Sequence, residues 1–241
     1  MLKTAVVMGV GPLQGLGATL CLAAAQEGLH TVVAGRSLEK LQAVVSAIED
    51  AGGSATAIRC DTTEESQVEA LLQQAEAIGP VDLAIYNAGN NMPSMFLDTS
   101  AEHFDKCYRV GLFGGFLFCR EALRHMTPRG SGCLLVTGAS ASMRGKPGFA
   151  AFTAAKGGLR NLVQSLAREF QPQGVHVGHV IVDGGIYGEK IEAAFPEFYQ
   201  QLGEEGLIGL EGIAQSFMFL YRQPRNAWTL ELDLRTHVEQ F

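Results

Sequence analysis

The chain is 241 residues long and 47% hydrophobic, with 18 Lys and Arg against 25 Asp and Glu for a net charge of −7. No basic run supplies the electrostatic footprint that nucleic acid or an anionic membrane requires, so neither is expected as a partner; a small-molecule substrate is. Five scattered cysteines without a C-x-x-C pair argue against a disulfide framework and a zinc site, leave no metal expected, and read as buried thiols of a cytoplasmic protein.

The N-terminal MLKTAVVMGVG is too short to span a membrane and lacks a signal cleavage pattern. Its apolar run predicts a strand at 4–8, followed by a helix at 18–27. The alternation continues with a strand at 31–34, a helix at 38–51, a strand at 55–60 and a helix at 64–77. Thr62 and Glu65 fit a capping box ahead of that last helix, and Gly52-Gly53 and Gly79-Pro80 close the helices before them. A strand at 81–86, a long helix at 101–126 and a strand at 133–136 come next. The stretch GKPGFAAFTAAKGGLRNLVQSLAREF then carries a helix at 152–170, with Leu159, Leu162, Val163, Leu166 and Phe170 as its apolar stripe. A strand at 175–182, an irregular segment, a helix at 211–221 and a strand at 229–234 complete the chain.

No linker, repeat or low-complexity tract interrupts this rhythm, so 1–241 reads as one domain. Near-continuous apolar strands separated by amphipathic helices specify an α/β fold, a Rossmann-like doubly wound parallel sheet of about seven strands with helices on both faces.

In such a sheet ligands bind at the carboxyl ends of the strands. The first strand ends in GVGPLQGLG, where glycines let the backbone approach a pyrophosphate at the N-terminus of the following helix. Its spacing departs from G-x-G-x-x-G: Gln14 takes the third glycine position and Pro12 removes a donor. The second strand ends in Arg36, where an NAD site would place an acidic residue. A guanidinium fits a 2′-phosphate instead, so NADP(H) is favoured over NAD(H).

These residues resemble the short-chain dehydrogenase/reductase superfamily, and the resemblance covers essentially the whole chain. It rests on the glycine loop 9–17, on Asp61 in RCDTTEE, on Asn87-Ala88-Gly89 after the fourth strand, and on Lys156. The resemblance implies that Gly9, Gly11, Gly15, Leu16 and Gly17 hold the pyrophosphate and that Asp61 bonds the adenine. It further implies that Asn87, Ala88 and Gly89 support the cofactor and that Lys156 binds the nicotinamide ribose. It also implies a homodimer or homotetramer built through the long helix and the Lys156 helix, where Leu112, Phe113, Phe116, Leu117 and Phe118 offer surplus apolar surface.

The chain departs from the family at the chemistry. The glycine loop has Met8 in place of the family's threonine. The tyrosine of Y-x-x-x-K is Phe152, the serine position is Ala139 and the asparagine position is Gly111. Hydride addition to a carbonyl leaves an alkoxide needing a proton, and losing a positioned acid costs about 10²- to 10⁴-fold. Lys156 keeps its ribose role but has no phenol to activate. Candidate replacements are Ser140 and Tyr187, which with Lys156 make up the expected catalytic set; Ser142, Arg144 and Lys146 lie in the same loop as Ser140. Asp183-Gly184-Gly185 stands where the family has N-P-G. The segment 186–210 sits where the family places its substrate-covering loop. Phe195, Phe198 and Tyr199 there, with Met92, Met95 and Phe96 after the fourth strand, suggest an apolar pocket. Two functions remain open at this stage: an NADP(H)-dependent oxidoreductase acting on a carbonyl or activated C=C with a non-standard proton donor, and a catalytically inactive nucleotide- or ligand-binding protein of the same fold.

Overall fold

Strand β1, Thr4–Met8, is buried along its length and sends alternate side chains into two cores. Ala5 and Val7 meet Val33, Leu83, Ile85 and Leu135 on one side, while Val6 and Met8 meet Val32, Ala34, Ala84 and Val136 on the other. A strand apolar on both faces has to lie at the centre of a covered parallel sheet. A computed structural model describes residues 2–89, 91–194, 196–203 and 205–239, with Lys190, Ala194 and Phe198 described by backbone alone.

The remaining strands are β2 His30–Gly35, β3 Ala55–Arg59, β4 Val81–Tyr86, β5 Cys133–Ala139, β6 His176–Val182 and β7 Glu231–Leu234. Among the described residues they form one seven-stranded sheet in the order β3-β2-β1-β4-β5-β6-β7, with every neighbouring pair parallel. The order reverses between β1 and β4, which opens a crevice at their carboxyl ends. This is the doubly wound fold expected from the strand and helix alternation.

The helices are α1 Leu16–Gln26, α2 Leu38–Asp50, α3 Glu65–Ile78, α4 Ala101–Tyr108, α5 Gly114–Met126, α6 Ala150–Phe170, α7 Glu189–Ala194, α8 Pro196–Leu202 and α9 Leu210–Tyr221. Leu20, Leu41, Ile48 and Phe217 pack α1, α2 and α9 onto one face. Val68, Leu71, Phe118, Leu159 and Val163 pack α3, α5 and α6 onto the other. All five cysteines are buried free thiols. No helix among the described residues is long and apolar enough to cross a membrane.

Three local expectations are corrected. The helix at 101–126 is interrupted by a π-helical turn at Arg109–Phe113, which separates α4 from α5. The Thr62–Glu65 capping box does not form: Glu64 caps α3 without a side-chain bond, and the Thr62 hydroxyl donates to the Tyr86 phenol at 3.3 Å instead. The irregular segment after β6 contains α7 and α8, and its two ends are joined by the bridge Ile186–Ile208.

Candidate active site

The glycines after β1 divide into two kinds. Gly9 has φ +97°, and a side chain there would run into the backbone of Ala88; at Gly17 a Cβ would lie 2.9 Å from the Gly9 carbonyl oxygen and from Val10 Cα. Those two allow β1, β4 and the start of α1 to close together. A Cβ at Gly11 would meet nothing within 4 Å, so that position faces open space. Gly15 is the N-cap of α1 and brings no side chain to its opening N–H groups, while Leu16 is buried in the core behind the loop. Free N–H groups at the start of an eleven-residue helix suit an anion.

Asn87 joins three strands at the crevice. Its backbone N–H donates to the Met8 carbonyl at 2.8 Å, its side-chain amide donates to the Gly9 carbonyl at 3.3 Å, and its Oδ1 accepts from the Thr137 hydroxyl at 3.0 Å. Thr137 also holds the lysine: Lys156 Nζ donates to its carbonyl oxygen at 2.8 Å, and the lysine is only 4% exposed. A Cβ on Gly89 would lie 3.7 Å from that same Nζ. Gly9, Asn87, Ala88, Gly89 and Lys156 are therefore brought together, as the sequence suggested.

Arg36 and Asp61 meet in a second place, a cleft of about 550 Å³ past the ends of β2 and β3 that is also lined by Arg59, Glu64 and Gln67. Asp61 Oδ1 accepts from the backbone N–H and the hydroxyl of Thr63 at 3.0 and 2.8 Å. Arg59 was missed by sequence reasoning. The register pairing of Gly35 with Arg59 is what sets it beside Arg36.

Around the N-terminus of α6 the side chains that could act on a carbonyl are displaced or engaged. Phe152 is half-buried and Ala139 ends β5. Gly111 sits in the π-helical turn, where a Cβ would come within 2.7 Å of Ala155 Cβ on α6. Ser140 hydrogen-bonds Asp183, which is fully buried and gripped by Arg144 through two bonds of 2.8 and 2.7 Å. Burial pushes the Asp183 carboxyl up, but Arg144, Ser140 and Arg235 outweigh it and hold the group below the usual aspartate range. Ser142 is buried and its oxygen accepts from the Ala139 N–H at 3.1 Å; Lys146 is exposed.

Residues 3–189 match the profile of the short chain dehydrogenase family. The chain belongs to this family. The 3-oxoacyl-[acyl-carrier-protein] reductase of Rattus norvegicus is 30% identical over 217 residues, covering 89% of this chain and 89% of that protein. A short-chain dehydrogenase from Rhodopseudomonas palustris superposes with a TM-score of 0.83 at 35% identity, over 98% of this chain and 99% of that one. The actinorhodin polyketide ketoreductase, whose structure contains NADPH, shares the fold at a TM-score of 0.89 and 21% identity, over 100% of this chain and 98% of that one. Two solved structures of the same fold hold NADPH or NADP and a third holds 5-hydroxy-NADP.

The phenols can be sorted by place. Tyr86 is buried and donates to the Val110 carbonyl at 2.5 Å, with burial pushing its pKa up. Tyr221 donates to Asp82 at 2.7 Å, at the amino edge of the sheet, and Tyr108 is exposed on α4. Tyr187 and Tyr199 lie in the segment after β6 with rings 5.3 Å apart. That segment leans on the glycine loop: Glu189 N–H faces the Gln14 carbonyl at 3.4 Å, and a Cβ on Gly188 would sit 2.9 Å from the same oxygen. Of the apolar pocket residues, Met95 and Phe96 are 61% and 73% exposed and Met92 is 43% exposed, so they form an open rim. Phe195 lies outside the described residues, as does the side chain of Phe198.

Beneath α6 lies a group that the sequence did not single out. His179 on β6 is 1% exposed, its Nδ1 is 3.2 Å from Glu231, and Glu231 is held by Arg160 through two bonds of 2.7 and 2.6 Å. The carboxylate can only accept, so Nδ1 carries the hydrogen. Nε2 is buried without a partner among the described residues. Burial pushes the imidazole down to about 4, against the pull of Glu231.

Proposed function

We propose that this member of the short-chain dehydrogenase family is an NADP(H)-dependent oxidoreductase that acts on the carbonyl or activated C=C of a small apolar substrate without the family's tyrosine acid. The observation that carries this reading is the intact frame on the cofactor side. Gly9 packs on Ala88, Asn87 ties β1 to β5, and Lys156 is anchored on Thr137 beside Gly89. The pieces fit a dinucleotide: the open position at Gly11 and the uncapped start of α1 suit the pyrophosphate, and Arg36 and Asp61 line the cleft where adenosine would lie.

In this assignment Gly9, Gly11, Gly15, Leu16 and Gly17 hold the pyrophosphate, Arg36 the 2′-phosphate, Asp61 the adenine and Lys156 the nicotinamide ribose. The nicotinamide, when bound, supplies or accepts the hydride. Lys156 presents its Nζ next to Gly89, held on the Thr137 carbonyl, as a donor for the ribose. Tyr187 is the proton donor in this assignment: Tyr86 and Tyr221 are hydrogen-bonded elsewhere, Tyr108 is exposed on α4, and Tyr187 lies in the segment after β6 that leans on the glycine loop. An activated alkene takes hydride at carbon and tolerates a less closely placed acid than a ketone does. The whole chain acts as one domain, with 186–210 covering the substrate.

The second reading, a binding protein of the same fold, is favoured by one specific set of positions. Phe152 has no proton to give, Gly111 has no room for a side chain, and Ser140 is committed to Asp183. Titration with NADPH followed by assay of NADPH consumption with apolar aldehydes, quinones and enones separates the two. The oxidoreductase reading expects turnover that Tyr187→Phe abolishes while NADPH affinity stays unchanged. Binding without consumption across the panel selects the second reading, and absence of NADPH binding overturns the first.

A further inference from the structure

Arg36 and Arg59 differ from the other arginines of the chain. Among the described residues every other arginine donates to a carboxylate or a backbone carbonyl. These two guanidinium groups have neither kind of partner, and both line the cleft past β2 and β3. Their placement follows from the register. Gly35 pairs with Arg59 across the two parallel strands, and Arg36 is the next residue, so both side chains leave from adjacent strand ends.

The carboxylates in the cleft, Asp61 and Glu64, hydrogen-bond neither guanidinium among the described residues. Asp61 accepts from Thr63, and the Gln67 side-chain carbonyl accepts from the Asp61 N–H at 2.9 Å. Two unpaired cations sharing a cleft repel one another, and a dianion between them removes that repulsion while using both planar forks of donors. A monoanion or a hydroxyl would satisfy only one fork. A phosphate monoester carries close to two negative charges at neutral pH and three acceptor oxygens.

We propose that Arg59 is a second specificity-determining residue, closing with Arg36 on the 2′-phosphate of NADP(H). This inference rests on the NADP(H) reading above. It differs from it in assigning the discrimination to two strands, so that Arg36 alone accounts for only part of the preference.

The test titrates wild type, Arg36→Ala, Arg59→Ala, Arg59→Lys and the double alanine variant with NADPH, NADH, 2′-AMP and 5′-AMP. The adenosine monophosphates probe the cleft without the nicotinamide half. Arg59→Ala is expected to weaken NADPH and 2′-AMP by about tenfold or more while leaving NADH and 5′-AMP within about twofold. Arg59→Lys should recover part of the loss, since a point charge remains without the fork. If Arg36→Ala removes the preference and Arg59→Ala leaves it intact, the clamp is wrong and the cofactor reading stands. If Arg59→Ala weakens NADPH and NADH equally, Arg59 serves the adenine and the inference is overturned. A wild type with equal affinity for NADPH and NADH fails the NADP(H) reading itself.

Discussion

Gly111 and Ala155 bring the π-helical turn and α6 so close that a Cβ added to Gly111 would lie 2.7 Å from Ala155 Cβ. The family's asparagine position is therefore shut by packing, in addition to lacking the side chain. Gly111→Asn should destabilise the protein by about 1–3 kcal/mol through overpacking. Gly111→Asn with Ala155→Gly should regain part of that, less about 1 kcal/mol for a further glycine in α6, which already holds Gly157 and Gly158. Urea unfolding midpoints of the three proteins check this; a Gly111→Asn midpoint equal to wild type would show that the two helices separate freely.

The buried His179 makes stability depend on pH in a defined direction. Its pKa in the folded protein is pushed down to about 4 by burial, below the ordinary value of 6.5. Between these values the unfolded chain binds a proton that the folded chain does not, so unfolding is favoured as pH falls through this window. The contribution is fully present above pH of about 6.5 and lost as pH approaches 4, on the order of 3 kcal/mol in total. Glu231 and Asp183, both held below their ordinary values, add a further loss at still lower pH as they protonate. Denaturant titrations at pH 7.5, 6, 5 and 4.5 should show this slope, and His179→Asn should flatten it over the upper part of the window. An unchanged slope in that variant would assign the effect to other groups, with His176, also pushed down by burial, the first to examine.

The strands and most helices could be read from the chain because apolar run length and glycine placement carry them locally. What escaped needed contacts between distant segments. The π-helical turn at Arg109–Phe113 inserts no new residue type, and apolar periodicity runs through it; it is defined in part by Tyr86, whose phenol takes the Val110 carbonyl. Thr62 fits a capping box by spacing, yet its hydroxyl finds the same Tyr86 across the core. At the site, Gly9 and Asn87 were legible because each follows a strand at the same edge, while Lys156, within α6, was singled out by the family resemblance. Arg59 was not, since its nearness to Arg36 depends on strand register, and neither was the Arg144–Asp183 pair, which spans two loops.

The helical face opposite the sheet bears on assembly. Of the apolar residues expected there, Leu117 and Phe118 point into the core and Leu112 and Phe113 are half-buried against it. Phe116 is 39% exposed beneath the Arg120 guanidinium, and Phe104 and Tyr108 on α4 are 42% and 43% exposed. We expect this surface to pair with a second copy in a homodimer or homotetramer. Light scattering at micromolar concentration should give a multiple of 25.8 kDa. Phe104→Glu with Phe116→Glu should weaken association by about tenfold or more. A wild type that scatters as one chain would exclude the assembly.

The missing phenol at position 152 allows the site to be challenged directly. Lys156 is held on the Thr137 carbonyl one helical turn after Phe152, so the electrostatic partner of a phenol is already in place. Phe152→Tyr alone should do little, because Ala139 leaves the substrate oxygen unanchored. Adding Ala139→Ser supplies that anchor at the end of β5, where the backbone N–H is already satisfied by Ser142 and need not move. The double variant, assayed with NADPH and the aldehydes, quinones and enones used for the wild type, should gain about a hundredfold or more on the carbonyl substrates. The gain should be smaller on conjugated alkenes, where protonation is less demanding. It should also vanish when Lys156→Met is added, because the phenol then loses the charge that lowers its pKa. A double variant no faster than wild type on any carbonyl, with NADPH affinity unchanged, would mean that the substrate oxygen is not delivered to this end of α6. The acid of the native reaction would then have to be sought in the segment after β6, where the Tyr187 and Tyr199 rings lie tilted 5.3 Å apart.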